Sequence, residues 1–192
     1  MKKILIGTHN RGKHREIAYL ISKKYKKISP IKLNIPSPEE TGKSFSSNSK
    51  LKANYFSKFV NFPVISDDSG ICIKSLNNGP GIYSARLAKK HGGFQQAMNF
   101  ILKKLKKKTN REAFFFCSLT YKLRKKKTIT VTGKIKGTIA KSIKGKNGFG
   151  YDPIFIPEKL RKTFGEIPYK KKIQMDHRFI AFKKLKKRVK IL

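Results

Sequence analysis

The order of apolar patterns along the chain constrains the fold more than any other feature of the sequence. A short apolar run at residues 2–7 precedes a helical stripe that extends from Gly12 to Tyr25. Farther along, "EAFFFCSLTYKL" and "TITVTGKIKGTIA" are typical of two long strands, joined across the basic turn "RKKK" as in a hairpin. Strands that alternate with helices early and form a hairpin late predict an α/β fold with a mixed central sheet and flanking helices.

The remaining apolar patterns predict further helices and strands. Helices are expected from Phe45 to Phe59, from Phe94 to Lys106 and from about Asp176 onward. "FPVIS" and "GICIKSL" are expected to form two short buried strands, the first ending at Asp67, and "NNGPG" to form a turn. No linker separates parts of the chain, so we expect one domain over residues 1–192.

The charge of the chain is strongly positive, with 47 Lys and Arg against 10 Asp and Glu and a formal net charge of +37. Such a field attracts polyanions, including nucleoside triphosphates, nucleic acids and anionic membranes. Because the lysines are dispersed, we interpret most of them as solvated surface and expect only non-specific contact with nucleic acid. There is no apolar run of about 18 residues, so we expect a cytoplasmic protein without a membrane partner.

The two cysteines, Cys72 and Cys117, lie far apart in apolar surroundings. Neither belongs to a C-x-x-C pattern or has a histidine at ligand spacing. The sequence therefore indicates no zinc site and no disulfide framework, and we expect two buried free thiols.

The acidic residues are informative because they are scarce, and two adjacent pairs occur among them, Glu39-Glu40 and Asp67-Asp68. Adjacent carboxylates must be kept apart or neutralised, and a divalent cation with oxygen ligands neutralises them well. Acids at the end of a strand are suited to hold Mg²⁺ against a substrate phosphate. The alternative is structural, with the glutamates decorating a loop and the aspartates capping a turn before Ser69.

The segment "GTHNRGKH", residues 7–14, is one residue away from a phosphate-binding P-loop. His14 stands where a P-loop needs a hydroxyl for Mg²⁺, and a neutral imidazole is a softer ligand than magnesium prefers. Backbone N–H groups at the start of a helix, Lys13, the Thr8 hydroxyl and the Asn10 amide are nevertheless suitable phosphate donors. An ordinary strand-to-helix turn remains the alternative.

Two later segments offer groups for a base and for phosphates. "GFGYDP" at 148–153 combines glycines with the aromatic ring of Phe149 and the acid Asp152, although it could equally be a tight turn before a strand. "DHR" at 176–178 places an imidazole and a guanidinium near the start of the last helix, where anions are favoured. A surface position is the alternative for this second pair.

Taken together and in chain order, these segments resemble the inosine/xanthosine triphosphate pyrophosphatase family, whose members hydrolyse non-standard purine triphosphates. The resemblance covers nearly the whole chain and rests on seven motifs: "THNRGK" (8–13), "EETG" (39–42), "F-x-x-N-x-x-x-K-A" (45–53), "SDDSG" (66–70), "GPGIYSAR" (79–86), "GFGYDPIF" (148–155) and the terminal Lys172, His177 and Arg178. The resemblance implies that "THNRGK" is the family's phosphate-binding segment and that its similarity to a P-loop is incidental.

The resemblance implies two lobes with the active-site cleft between them, a homodimer, and hydrolysis of ITP, dITP or XTP to the monophosphate and pyrophosphate. It implies that Asp68 activates water, and that Glu40, or Glu39 beside it, helps Asp68 to hold Mg²⁺. Donors such as His177 and Arg178 would favour the 6-oxo group of these purines over the amino group of adenine. The residues expected to bind substrate are Thr8, His9, Asn10, Arg11, Gly12, Lys13, Ser69, Phe149, Gly150, Tyr151, Asp152, Lys172, His177 and Arg178.

Two departures from the family pattern leave other functions open. Ser47 stands where the family usually has Glu, and Asp176 where it tends to have Ser. With the charge of +37, the missing carboxylate motivates a second hypothesis, a basic nucleic-acid-binding protein without hydrolytic activity. A third, a true P-loop triphosphatase that releases inorganic phosphate, is disfavoured by His14.

Overall fold

A seven-stranded sheet is the central element of the computed structural model, which describes residues 1–189. The strands are β1 (Lys2–Ile6), β2 (Tyr25–Ile28), β3 (Val64–Ile73), β4 (Gly79–Pro80), β5 (Glu112–Lys122), β6 (Ile129–Ile139) and β7 (Phe155–Pro157). The α-helices are α1 (Arg11–Leu20), α2 (Phe45–Phe56), α3 (Ser84–Lys90), α4 (Phe94–Lys104), α5 (Tyr169–Lys172) and α6 (His177–Arg188). None of the helices within residues 1–189 is long and apolar enough to cross a membrane.

The strands are hydrogen-bonded in the order β2-β1-β3-β5-β6-β7, and β4 pairs with β3. β1 runs parallel to both of its neighbours, with Lys2 opposite Tyr25 and Leu5 opposite Val64. The β3–β4 and β6–β7 pairs are antiparallel. The mixed sheet with helices confirms the predicted α/β class, and β5 and β6 are neighbours, as the hairpin pattern predicted.

The chain divides into two compact units, and the boundaries between them fall within β3, β5 and β6 and after the first residue of α6. Within the described residues, unit 1 comprises 1–68, 117–133 and 178–189, and unit 2 comprises 69–116 and 134–177. In unit 1, β1, α1 and α6 bury Ile4, Ile17 and Leu185 in one apolar cluster. In unit 2, Ile101 of α4 packs in a cluster with Ile71 of β3 and Phe155 of β7. Each unit thus has an apolar core of its own.

Several element boundaries differ from those predicted. The first helix ends at Leu20 rather than Tyr25, because Tyr25 and Ile28 instead bury their side chains as β2, which was not predicted. α2 ends at Phe56 rather than Phe59, whose side chain is 52% exposed and so does not continue the buried stripe. The short helix α3 was also not predicted.

The two predicted strands around Asp67 are one continuous strand, β3, in which all ten residues are buried. The polar run Ser66–Ser69 looked like a break in the sequence because it interrupts the apolar pattern. The interpretation of the aspartates as caps of a turn is therefore wrong, since both lie inside a strand.

Both cysteines are free and buried, as predicted. Burial raises the pKa of the Cys72 thiol to about 11, so at pH 8 only about one Cys72 in a thousand is a thiolate. We expect iodoacetamide to alkylate Cys72 slowly at pH 8, and the rate to rise about tenfold for each pH unit. Mass spectrometry of a Cys117→Ser variant, which leaves one thiol, would follow the reaction. The same variant in urea is the control, and equal rates in the native and unfolded protein would contradict the expectation.

Candidate active site

Asp67 and Asp68 lie in the middle of β3 and are almost completely buried, with relative exposures of 0% and 3%. The ammonium group of Lys13 lies between them, with its Nζ 3.4 Å from Asp67 Oδ2 and 3.8 Å from Asp68 Oδ1. The structure thus brings the acid pair and the glycine-containing loop together, as the sequence predicted for Asp68 and Lys13.

The loop between β1 and α1 is organised by its own side chains. Asn10 is the N-cap of α1, and its Oδ1 accepts a hydrogen bond from the backbone N–H of Lys13 at 3.0 Å. Thr8 Oγ1 accepts a hydrogen bond from the backbone N–H of Asn10 at 3.2 Å, so the hydroxyl proton of Thr8 points away from Asn10. His9 contacts the carbonyl oxygen of Ile35 through Nε2, at 3.0 Å. Asn10 therefore serves first as a helix cap, a role that the sequence analysis did not assign to it.

Helix α1 begins at Arg11, one residue before the predicted start at Gly12, so Gly12 and Lys13 both lie in its first turn. Arg11 is exposed, whereas Lys13 is partly buried. Packing explains why position 7 is a glycine, because a Cβ at this position would lie 2.2 Å from Ser66 Oγ and 2.6 Å from a ring carbon of Phe56. The glycine at the end of β1 is therefore explained without any approach of a phosphate.

Lys52 is a member of the cluster that the sequence analysis did not include. Its Nζ lies 2.5 Å from Glu40 Oε1 and 3.9 Å from Asp68 Oδ1, and its side chain is almost completely buried. Glu40 is thereby fixed near Asp68, while Glu39 is exposed. Of the two adjacent glutamates, the structure places Glu40 in the cluster.

Asn48 joins the "EETG" segment to the acid pair. Its Nδ2 donates to Asp68 Oδ2 at 3.1 Å, and its Oδ1 accepts from the backbone N–H of Gly42 at 2.8 Å. One residue earlier, Ser47 occupies the N3 position of α2 and forms a capping box with Ser44. Ser47, which stands where the family usually has Glu, therefore still supplies the side-chain cap at this helix end.

Burial raises the pKa of Asp68, and the charges of Glu40 and Asp67 act in the same direction against the opposing effect of Lys13 and Lys52. Burial alone would lower the pKa of Lys52, but the three neighbouring carboxylates outweigh it and the pKa is raised. Lys52 therefore stays protonated, and Asp68 is a stronger base than an ordinary aspartate.

Arg178 of α6 belongs to the same unit as the acid pair. Its Nη1 donates to Glu16 Oε2 at 2.8 Å, and its Nε lies 3.5 Å from Asp67 Oδ2. Glu16, on α1, is completely buried and was not singled out in the sequence. The guanidinium is thus held by two carboxylates, which excludes the surface position considered for this residue.

In unit 2 the segment "GFGYDP" is organised around Asp152. Asp152 Oδ2 accepts from the backbone N–H of Phe149 at 2.8 Å and from Lys172 Nζ at 2.6 Å. Lys172 is completely buried, also lies 4.0 Å from Asp176, and has its Nζ 5.1 Å from the centre of the Phe149 ring. Gly148 has a φ of +76°, and a Cβ there would lie 2.0 Å from Asp152 Oδ2.

Of the other predicted residues of unit 2, Ser69, Tyr151 and His177 are buried and Gly150 is partly buried. Tyr151 donates its hydroxyl to the carbonyl oxygen of Ser84 at 2.8 Å, and His177 stacks on Phe115 with ring centres 4.8 Å apart. Gly150 has a φ of +67°, and Ser69 directly follows Asp68 in β3. Tyr151 thus uses its side chain inside the unit, so only its backbone is left for a ligand.

Residues 1–189 contain no group of three or more His, Cys, Asp or Glu side chains arranged to hold a metal. Mg²⁺ needs fewer, because it is commonly held by one or two carboxylates together with substrate phosphates and water. Asp68 and Glu40 offer hard oxygen ligands, and Lys52 lies within 3.9 Å of both. The donor set therefore fits Mg²⁺ bound together with a phosphate-bearing substrate.

Asn48 and Lys52 could have been found from the sequence, because both are fixed positions of the "F-x-x-N-x-x-x-K-A" motif. Among so many lysines, nothing else distinguished Lys52. A buried basic carboxylate, with ammonium groups beside it and a helix N-terminus nearby, is the arrangement of a hydrolytic site for a phosphate-bearing substrate.

Comparison with known proteins agrees with this arrangement. The sequence profile of the Ham1 family matches residues 4–188, and the chain belongs to that family. It is 40% identical over 189 residues to the dITP/XTP pyrophosphatase of Dictyoglomus thermophilum, covering 95% of this chain and 92% of that one. To the dITP/XTP pyrophosphatase of Bacillus subtilis it is 39% identical over 191 residues, covering 97% and 96%.

Solved structures agree as well. The Ham1 protein of Staphylococcus aureus superposes with a TM-score of 0.86 at 35% identity, covering 98% of each chain. A HAM1 protein from Coxiella burnetii superposes with a TM-score of 0.88 at 30% identity, covering 100% of each chain. The family suggested by the seven motifs is thus confirmed.

Proposed function

We propose that this protein hydrolyses non-standard purine nucleoside triphosphates, such as dITP, ITP and XTP, to the monophosphate and pyrophosphate. The relatives named dITP/XTP pyrophosphatase support this substrate class. The observation that carries the proposal is the position of Asp68, buried in β3 with Lys13 3.8 Å and Lys52 3.9 Å from the same carboxylate oxygen.

In the proposed reaction, a water molecule attacks the α-phosphorus of the substrate. Asp68 accepts the proton of this water, the bond to the β-phosphate oxygen breaks, and pyrophosphate leaves. The raised pKa of Asp68 favours this proton transfer. Asn48 holds Asp68 Oδ2 from one side, so the carboxylate is oriented before substrate binds.

The cations of unit 1 would bind the triphosphate. Lys13 supplies a charge at the start of α1, and the Thr8 hydroxyl, the Asn10 amide and nearby backbone N–H groups supply hydrogen bonds. Lys52 is positively charged beside Asp68, so it would also stabilise the negative charge that develops on the phosphoryl oxygens.

The base is proposed to be bound by residues of the "GFGYDP" and "DHR" segments. Phe149 offers an aromatic face, and Asp152 fixes its backbone. Three further residues would hold Phe149 and Asp152 in place or donate to the 6-oxo group of the base: Lys172, His177 and Arg178. The 6-oxo group distinguishes hypoxanthine and xanthine from adenine. His9, Arg11, Gly12, Ser69, Gly150 and Tyr151 complete the proposed set.

We further propose that Mg²⁺ is the cofactor, held by Asp68 and Glu40 together with the substrate. When bound, it would neutralise charge on the phosphates. The family resemblance also leads us to propose a homodimer, which size-exclusion chromatography with light scattering would measure. A cytoplasmic location is proposed because that is where nucleoside triphosphates are found.

Product analysis tests the proposal directly. The protein is incubated with ITP, XTP, dITP or ATP and Mg²⁺, and pyrophosphate and orthophosphate are measured separately. Pyrophosphate from the 6-oxo purines, with little from ATP, is the expected result. Orthophosphate instead would favour a P-loop-type triphosphatase, and no turnover together with salt-sensitive nucleic-acid binding would favour the basic binding protein.

Replacement of Lys13 is expected to weaken triphosphate binding. Loss of a charged hydrogen-bond donor costs about 1.5–3 kcal/mol, so Lys13→Ala should raise KM for dITP by roughly tenfold or more, with a smaller change in kcat. Steady-state kinetics with pyrophosphate detection would show this. Lys23→Ala, at an exposed lysine of the same unit, is the control. Unchanged KM and kcat in Lys13→Ala would remove this lysine from the site.

The two adjacent glutamates are expected to differ in their effect on metal use. Because Glu40 lies with Lys52 and Asp68 while Glu39 is exposed, Glu40→Gln should raise the Mg²⁺ concentration for half-maximal rate by about tenfold. Glu39→Gln makes the same chemical change one residue away and should have little effect. Magnesium titrations of both variants after treatment with EDTA would decide. A larger effect at Glu39 would reverse the assignment.

A further inference from the structure

A cavity of about 520 Å³ in unit 1 is lined by α2, β6 and α6 and contains none of the residues of the candidate active site. Its volume lies within the range of small-molecule pockets, about 300–1,000 Å³. Four of its lining residues are cations: Lys50, Lys184, Lys187 and Arg188. None of the described lining residues is acidic.

Among the residues that the structure describes, no acidic group neutralises the four cations. Within residues 1–189 none of them forms an ion pair with a carboxylate, and the one polar contact found among them is the bond from Lys184 Nζ to the carbonyl oxygen of Thr132, at 2.9 Å. A cavity of similar volume in unit 2, about 560 Å³, differs in this respect, because its lysines share the lining with Glu112 and Glu158. The described lining of the cavity in unit 1 thus carries positive charge without an acidic residue, unlike the lining of the cavity in unit 2.

Hydroxyl groups on the wall of the cavity are held by a buried network. Ser46 Oγ accepts from Ser118 Oγ at 3.3 Å, and Thr130 Oγ1 lies 2.9 Å from Thr120 Oγ1. Ser49 Oγ joins the two pairs, at 2.9 Å from Ser118 Oγ and 2.8 Å from Thr120 Oγ1. Because Ser49, Ser118 and Thr120 are completely buried, the network fixes the two hydroxyls of the lining, Ser46 and Thr130.

We propose that this cavity binds a small anion with two or three linked phosphoryl groups, at a site separate from the one that hydrolyses nucleotides. Uncompensated ammonium and guanidinium groups attract several negative charges in a small volume, and fixed hydroxyls donate to phosphoryl oxygens. A concave site of this volume can accommodate a compact polyphosphate, whereas the backbone of an extended nucleic acid would need a longer groove. Inorganic pyrophosphate, longer inorganic polyphosphate and the phosphate tail of a nucleotide share this chemistry.

Binding of inorganic tripolyphosphate without metal tests the proposal. Isothermal titration calorimetry would give the affinity, and backbone amide NMR would locate the site. We expect chemical-shift changes at residues 130–132 and 184–188, in addition to any at residues 8–13. Pyrophosphate and dITP are titrated in parallel to identify which source of phosphoryl groups binds most tightly.

Two double variants on α6 distinguish binding in the cavity from the general electrostatic effect of the protein's net charge. Lys184→Gln with Lys187→Gln removes two lining cations, while Lys183→Gln with Lys186→Gln removes two other exposed lysines of the same helix, outside the lining. The first is expected to weaken binding at the cavity by at least about tenfold, and the second by much less. Neither changes a residue of the proposed hydrolytic site, so dITP hydrolysis should persist in both.

Three results would overturn the proposal. Equal weakening in the two double variants would show a general charge effect. Shift changes confined to residues 8–13 would place all of the binding at the candidate active site. Binding of an RNA oligonucleotide that depends on Lys184 and Lys187, with no binding of tripolyphosphate, would assign the surface to nucleic acid instead.

Discussion

Asp68→Asn is expected to lower kcat for pyrophosphate release from dITP by about 10³-fold, because an amide cannot accept the proton of the attacking water. The substitution preserves the shape of the side chain. An amide oxygen at position 68 can still accept from Asn48, and Lys52 keeps its contact with Glu40. The loss should therefore appear in the chemical step with little loss of folded structure.

Single-turnover kinetics and thermal unfolding would be measured on the same Asp68→Asn preparation. Glu158→Gln, the same acid-to-amide change at an exposed position, is the control and should keep the full rate. A rate within tenfold of the unmodified protein, with the variant folded, would show that another group is the base. Asp67 would then be the next residue to test, since it shares Lys13 with Asp68.

Lys172→Met is expected to destabilise the protein by about 3–5 kcal/mol, the typical cost when one partner of a buried ion pair is removed. Lys172 is completely buried, and its ammonium lies 2.6 Å from Asp152 and 4.0 Å from Asp176, which are also buried. Methionine has a similar length and fills the space. The cost therefore comes from the two carboxylates that lose their cation, and not from a cavity.

Urea unfolding followed by circular dichroism would measure this free energy. Lys171→Met is a close control, because it removes the neighbouring lysine, whose side chain is exposed, and should change stability by no more than about 0.5 kcal/mol. Similar stabilities for the two variants would mean that Lys172 contributes no net stabilisation. Its proposed role in holding Asp152 and Phe149 would then have to be abandoned.

The fold class could be predicted because apolar periodicity records which faces of helices and strands are buried. The hairpin of β5 and β6 and the helix α4 were recognised in this way. The errors occurred where polar residues are buried or apolar residues are exposed. β3 was divided at Ser66–Ser69, whose polar side chains are buried, and α2 was extended to Phe59, whose ring is exposed.

The residues of the candidate site could be predicted only in part. The carboxylates were identified because acidic residues are scarce in this chain. Lys13, Asp152 and Lys172 were identified because they belong to motifs that occur in the family's order. Lys52 is a fixed position of one motif, but its burial next to three carboxylates is a property of the fold that composition does not reveal, and it was missed. Glu16 was missed because its partner, Arg178, is 162 residues away along the chain.

The location of the acid pair inside β3 has a consequence for how the protein tolerates change. A carboxylate on a surface loop can shift while the rest of the fold stays intact. Asp68, by contrast, belongs to β3, an inner strand that lies between β1 and β5 in the sheet. Hydrogen exchange at this amide should require opening of the whole sheet. Heat inactivation would then coincide with global melting, and substitutions that loosen the sheet would impair turnover even when they lie far from any phosphate.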